Sequence, residues 1–289
     1  MKATGKTRIL GILGHPIGHT LSPEMQNAAL ASLGLDFLYI PFDVIPERMD
    51  DALRGLVALG AAGFNVTIPH KEAIIPLLDQ ISDEVRRIGA VNTVEIQGTK
   101  LIGHNTDGKG FLRVLEEEGG FDPSKKRILI LGAGGSARAV AVQLALSEAT
   151  EIRIVNRTPD RARGLGDALR REFPSLAVRG MPIPTGPTEW QFAVEGADLL
   201  VNTTPVGLEG GEGGMLVPAD AISPELLVFD LVYRPAETPL LKAARFRGAR
   251  TLSGLSMLLQ QGAISFEIWT GRPAPREVMR AALSEAIRS

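Results

Sequence analysis

The sequence predicts an α/β protein of two domains. Three observations carry this. Strand and helix signals alternate along most of the chain. At Arg127–Leu146 a short apolar run, Ile128–Leu131, ends in Gly132-Ala133-Gly134-Gly135-Ser136-Ala137 and opens into a helix-period segment. Further strand signals follow, and two helices remain once those strands are used.

Before Arg127 the chain is long enough for a complete domain. Strands are expected at Ile9–Leu13, Leu38–Phe42, Gly63–Thr67, Val91–Ile96 and Leu101–His104, and helices at Ser22–Leu33, Glu47–Leu59 and Lys71–Leu78. Their alternation favours an α/β sandwich on a mostly parallel sheet. Gly108–Glu118 reads as a helix leading into the second domain. There, strands are expected at Arg127–Leu131, Ile152–Val155, Leu176–Val178, Asp198–Asn202, Leu227–Asp230 and Arg250–Leu252. Six strands complete a Rossmann-like, doubly wound nucleotide domain. The remaining helices, Leu255–Trp269 and Pro275–Ile287, are expected to return to the first domain. The expected limits are residues 1–107 with 254–289, and 108–253. Gly207–Gly214 and Pro182–Pro187 read as loops.

Strand, glycine turn and helix in this order form a dinucleotide fingerprint. Gly132 permits the tight turn. Gly134 lets a pyrophosphate approach the backbone. Ala133, Gly135 and Ser136 complete the turn, whose N–H groups and positive dipole end face the phosphates. Ala137 lets the helix pack on the strand.

In an NAD-binding domain an acid about 20 residues after the glycines holds the ribose 2′-hydroxyl. Here Asn156, Arg157 and Thr158 occupy that strand end, with Arg161 one turn on. Two guanidiniums and a hydroxyl suit a 2′-phosphate, which points to NADP(H). Asp160 is the nearest acid. The bland alternative for Arg157 is an ordinary exposed arginine.

Composition narrows the remaining classes. A formal net charge of −2 provides no basic footprint for nucleic acid. No apolar run approaches a membrane span. The absence of cysteine excludes disulfides, thiolate-bound zinc and a cysteine nucleophile. The opening MKATGKTRILGILG has too short and broken an apolar run for a signal peptide. The expectation is a cytoplasmic enzyme with a small-molecule substrate and no metal. Oligomeric state is open, a homodimer being one option.

Four polar segments interrupt the apolar runs of the first domain: GHPIGHTLSP (Gly14–Pro23), NVTIPHKE (Asn65–Glu72), GAVNT (Gly89–Thr93) and GHNTDG (Gly103–Gly108). With GAGGSA, NRTPDR, VYRPAETPL (Val232–Leu240) and GLSMLLQQG (Gly254–Gly262), their order resembles the shikimate dehydrogenase family over nearly the whole chain. The resemblance implies reversible, NADPH-dependent reduction of 3-dehydroshikimate to shikimate, in aromatic amino acid biosynthesis. It implies Lys71 and Asp107 as the catalytic pair. Thr20 and Ser22 would hold the substrate carboxylate, and Thr67, Asn92, Tyr233 and Gln261 the ring hydroxyls or carboxylate. Gly132–Ser136 would take the pyrophosphate, and Asn156, Arg157, Thr158 and Arg161 the 2′-phosphate. Leu231 and Gly254 would border the nicotinamide. The chain departs from the family in two places. Thr20 stands where serine is frequent, and the glutamine is doubled as Gln260-Gln261.

Residue chemistry is compatible with these roles. Hydride transfer to a ketone leaves an alkoxide that needs a proton. Lys71, at the start of the expected helix after Pro69-His70, would have its pKa lowered by the helix dipole, while Asp107 would hold the ammonium. Each residue also has a plainer role open to it. Asp107 and Ser22 suit helix N-caps, the latter with Pro23 following. Asn92 suits a turn pin, and Tyr233 an edge-strand aromatic.

Competing readings make different demands. A quinate/shikimate dehydrogenase using NAD needs an acid near Asn156. A short-chain dehydrogenase needs a lysine four residues after a tyrosine, which neither Tyr39 nor Tyr233 has. A methyltransferase leaves NRTPDR unexplained. A nucleotide-sensing regulator without catalysis has no need to retain Lys71 and Asp107.

Overall fold

The computed structural model describes residues 3–210 and 214–288. It divides into two compact units, Met1–Gly110 with Leu259–Ser289, and Phe111–Leu258.

The first part of the chain forms β1 (Arg8–Gly14), α1 (Ser22–Ser32), β2 (Phe37–Asp43), α2 (Met49–Ala58), β3 (Gly63–Val66), β4 (Gln80–Ile81), α3 (Asp83–Ile88), β5 (Thr93–Gln97), β6 (Lys100–His104) and α4 (Asp107–Glu117). The sheet order is β2-β1-β3-β5-β6-β4. β1 runs parallel to β2 and β3, but β5 is antiparallel to both β3 and β6. The expected mostly parallel sheet is therefore mixed. The cause is local: only Gly98-Thr99 separates β5 from β6, and so short a link joins antiparallel strands only. α2 is amphipathic, burying Met49, Leu53 and Leu56 on one stripe against Phe64, Val66 and Val94.

The helix expected over Lys71–Leu78 is not formed. Residues 71–74 are turns, followed by a 3₁₀ turn at Ile75–Leu77. Pro76 explains this, since it has no N–H to donate and its ring crowds the carbonyl four residues back. The hydrogen bonds accordingly tighten to Ile75 N–H on Glu72 O and Leu77 N–H on Ile74 O. The dipole argument for Lys71 loses its helix. α3 was not expected; Ser82 caps it by accepting the Val85 N–H at 3.2 Å.

The second unit continues with β7 (Arg127–Leu131), α5 (Gly135–Leu146), β8 (Glu151–Asn156), α6 (Pro159–Glu172), β9 (Ala177–Pro182), α7 (Pro187–Val194), β10 (Leu199–Asn202), β11 (Leu227–Asp230), α8 (Pro239–Phe246) and β12 (Arg250–Ser253). Its sheet, β12-β11-β10-β7-β8-β9, is parallel throughout. This is the doubly wound dinucleotide order, whose direction of winding switches between β7 and β10. β10 and β11 are buried at every position and β7 at all but Arg127. Burial on both faces accounts for their unbroken apolar runs. The loop expected at Pro182–Pro187 is cut short by the start of α7. Within the expected loop Gly207–Gly214, residues 211–213 lie outside the described residues. The chain ends in α9 (Gly254–Thr270) and α10 (Arg276–Ala286), with residues from Leu259 onward in the first unit. Among the described residues no helix is long and apolar enough to cross a membrane.

Candidate active site

Lys71 follows the turn after β3, where its carbonyl accepts the Val91 N–H at 2.8 Å. Its Nζ donates to Asp107 Oδ2 at 2.5 Å, and the two side chains are only 13% and 6% exposed. The other carboxylate oxygen, Oδ1, accepts from Asn92 Nδ2 at 2.8 Å. The Asn92 amide has a defined orientation, because its Oδ1 accepts the backbone N–H of Thr106 at 2.7 Å. Asn92 thus pins a neighbouring loop and orients Asp107 at once.

Asp107 is the first residue of α4, not its cap. Asn105 does that work, its Oδ1 accepting the N–H groups of Asp107 and Gly108 at 3.1 and 3.3 Å. The Asp107 carboxylate is thereby left to Lys71 and Asn92. An asparagine two residues before a helix was the available sequence signal for Asn105. Nearby, His104 is partly buried 3.6 Å from Glu95; burial lowers its pKa and the carboxylate offsets part of that.

Ser22 is likewise the first residue of its helix, and the cap position is held by Leu21 with no side-chain cap. The Ser22 side chain is buried and hydrogen-bonds Tyr39. Its backbone N–H donates to Thr20 Oγ1 at 3.3 Å, which brings the two hydroxyl residues together. Burial raises the Tyr39 phenol pKa well above its ordinary value. The protonated phenol donates to Asn65 Oδ1 at 2.7 Å, and Asn65 Nδ2 donates to the Asn92 carbonyl at 3.0 Å. Thr67, half-buried beyond β3, is pinned through its backbone: its N–H donates to Leu13 O, and its carbonyl accepts from His70, both at 2.9 Å. On α9, Gln260 is buried, whereas half-buried Gln261 brings Oε1 within 3.3 Å of Asn92 Nδ2. The first unit thus joins Lys71, Asp107, Asn92 and Gln261 directly, and reaches Ser22 and Thr20 through Tyr39 and Asn65.

In the second unit, Gly132 closes β7 with φ +110°, and a Cβ there would lie 2.3 Å from Thr203 Oγ1. Gly134 holds the cap position of α5 and supplies no side-chain cap; a Cβ on it would meet no atom within 4 Å. The turn therefore presents open space at a helix N-terminus, the cradle a pyrophosphate requires. Ala137 is fully buried beneath it. At the end of β8, Asn156 Nδ2 donates to Thr158 O at 2.9 Å, shaping a turn from which Arg157, Thr158 and Arg161 are exposed. Asp160 pairs with Arg163 on α6. These residues fit a nucleotide bearing an extra phosphate.

Leu231 and Gly254 meet: a Cβ on Gly254 would fall 2.1 Å from the Leu231 carbonyl oxygen. Beneath them, fully buried Asp230 accepts from Asn202 Nδ2 (2.8 Å), the Val232 N–H (3.1 Å) and Thr238 Oγ1 (2.6 Å). Burial raises its pKa against these three donors. Sequence reasoning missed this carboxylate, which organises the loop carrying half-buried Tyr233.

Comparison with known proteins gives a consistent result. Residues 12–94 match the shikimate dehydrogenase substrate binding domain, residues 115–179 the shikimate / quinate 5-dehydrogenase family, and residues 254–283 the shikimate 5′-dehydrogenase C-terminal domain. The chain is 49% identical to the shikimate dehydrogenase (NADP(+)) of Methanopyrus kandleri, covering 98% of this chain and 97% of that protein. A shikimate dehydrogenase crystallised with NADP+ matches with a TM-score of 0.91 at 40% identity, covering 99% of this chain and 98% of that one. The Thermus thermophilus shikimate 5-dehydrogenase in complex with NADP(H) and shikimate matches with a TM-score of 0.84 at 40% identity, over 97% of this chain and 100% of that one. A parallel nucleotide sheet, a buried lysine–aspartate pair and end-to-end similarity to these enzymes lead to one conclusion: the chain belongs to the shikimate dehydrogenase family.

Proposed function

We propose that this protein catalyses the reversible, NADPH-dependent reduction of 3-dehydroshikimate to shikimate. The observation that carries the proposal is the buried Lys71–Asp107 pair, oriented by Asn92. NADPH, when bound, supplies the hydride. Lys71 Nζ gives a proton to the oxygen of the reduced carbonyl. Its 13% exposure leaves a route by which solvent replaces that proton. Asp107 holds the ammonium through one oxygen and is itself held through the other, so the donor does not swing away. In the reverse direction neutral Lys71 takes the proton back.

Thr20 and Ser22 offer hydroxyls for the substrate carboxylate, and Thr67, Asn92, Gln261 and Tyr233 polar groups for the ring hydroxyls. Gly132–Ser136 would hold the pyrophosphate. Asn156, Arg157, Thr158 and Arg161 would hold the 2′-phosphate, with Leu231 and Gly254 beside the nicotinamide. The proposal includes a cytoplasmic location. The test is direct: purified protein with shikimate and NADP+ should generate NADPH absorbance, and should do so far more slowly with NAD+. No turnover with shikimate would overturn the assignment.

A further inference from the structure

Beneath Asn92 four side chains of the first unit close a ring of hydrogen bonds. Asn92 Nδ2 lies 2.8 Å from Thr106 Oγ1, which lies 3.2 Å from Ser265 Oγ. Ser265 Oγ lies 2.7 Å from Thr93 Oγ1, which returns to Asn92 Oδ1 at 3.1 Å. Thr93 is on β5, Thr106 precedes α4, and Ser265 is on α9. All three are at most 1% exposed.

With every contact of the ring made, it runs in one direction. Asn92 cannot flip, because the Thr106 backbone N–H donates to its Oδ1. Its amide N–H must then donate to Thr106 Oγ1. Each hydroxyl has a single proton, so in the closed ring Thr106 passes its own to Ser265, Ser265 to Thr93, and Thr93 to Asn92 Oδ1. Ser265 Oγ also lies 3.1 Å from Gln261 O, and Thr93 Oγ1 3.4 Å from Thr106 Oγ1. Asn65 reinforces the ring. Its Oδ1 is occupied by Tyr39, so its Nδ2 faces Thr93 and Ser265, at 3.0 and 3.1 Å, as a donor only. With one Asn92 N–H committed to the ring, the other is aimed at Asp107 Oδ1.

We propose that Thr93 and Ser265 are positioning residues for the reaction. They act through Asn92, holding the carboxylate that in turn holds Lys71. The inference rests on the catalytic reading of Lys71 and Asp107 given above.

The test compares Thr93→Val, Thr93→Ser, Ser265→Ala and the Thr93→Val/Ser265→Ala double variant. Thr93→Val and Ser265→Ala should each lower kcat about 10- to 100-fold, the cost of loosened catalytic geometry. KM for NADP+ should not move. Thr93→Ser keeps the hydroxyl and should recover most of the lost kcat. A ring opened once is already open, so the double variant should be little slower than the slower single variant. Wild-type kcat in the single variants, multiplying losses in the double, or a Thr93→Ser enzyme as slow as Thr93→Val would each overturn the proposal. Exchange of the Asn92 side-chain amide protons, followed by NMR, reads the ring without substrate. It should be slow in wild type and Thr93→Ser and fast in the other variants, and equal rates throughout would overturn the ring. A wild type inactive with shikimate but showing these exchange differences would overturn the activity assignment and leave the ring in place.

Discussion

Replacing Lys71 with methionine tests catalysis and stability in a single variant. Methionine keeps the apolar stem and removes the charge. Asp107, 6% exposed, then becomes a buried carboxylate without its cation. Removing one partner of a buried pair costs about 3–5 kcal/mol when the other is left uncompensated. Here compensation is partial: Asn92 still donates at 2.8 Å, and Asp107 sits in the first turn of α4, where the dipole contributes roughly 0.3–1 kcal/mol. The expected loss is therefore about 2–3 kcal/mol, a fall in Tm of roughly 5–10 °C. kcat should fall roughly 10²–10⁴-fold, as expected for a lost general acid, with far less change in shikimate affinity. Adding Asp107→Asn removes the stranded charge. The Lys71→Met/Asp107→Asn double variant should regain most of the lost stability and none of the activity. Thermal melts and steady-state NADP+ reduction, run on both variants, separate the two effects. Near-normal turnover in Lys71→Met would remove Lys71 from the mechanism. A double variant no more stable than the single would show that the pair is not held in the desolvated state described above.

Three further outcomes are expected. Replacing Arg157 and Arg161 together with alanine should weaken NADP+ mainly through KM, because the 2′-phosphate is bound alike in ground and transition states; an unchanged NADP+/NAD+ ratio would place the phosphate contacts elsewhere. Shikimate should be preferred to quinate by at least roughly tenfold in kcat/KM. The preference is expected from Thr20, half-buried beside Ser22, whose methyl, absent from serine, would leave less room for the extra quinate hydroxyl; a Thr20→Ser enzyme with the same ratio would acquit Thr20. Asp230 has a raised pKa in the folded state, so its contribution to stability is full below the ordinary carboxylate range and is lost as pH rises through the raised value. Asp230→Asn should therefore gain on wild type as denaturant titrations move from acid toward neutral pH, and a constant difference would refute that linkage.

How much the sequence could reveal depended on the range of the interactions involved. β7 and β11 fall on the expected residues because parallel strands buried on both faces are written as apolar runs between turns. The glycine turn was legible because Gly132 meets a backbone requirement local to the chain. The Lys71–Leu78 segment misled because its apolar spacing is helical while Pro76 forbids the helix. The capping role open to Asp107 falls to Asn105, since several short polar residues near a helix start can serve as caps, and Ser22 lies one residue inside α1, behind Leu21. Asp230 and Ser265 gave no signal of their own. Each is a polar residue in an apolar segment, and partners that fix it lie far away in sequence: Asn202 for one, Asn65, Thr93 and Thr106 for the other.

The second unit is one uninterrupted stretch, whereas the first is completed only by residues from Leu259 onward. That late segment supplies Gln261 and Ser265, and Trp269, whose indole N–H donates to Val94 O at 3.0 Å. During synthesis the second unit has all of its residues before the first does. A chain stopped after β12 would carry the nucleotide turn together with Lys71 and Asp107, yet lack the residues that close the network around Asn92. The order of segments thus leaves the network around Asn92 unclosed until α9 has been synthesised.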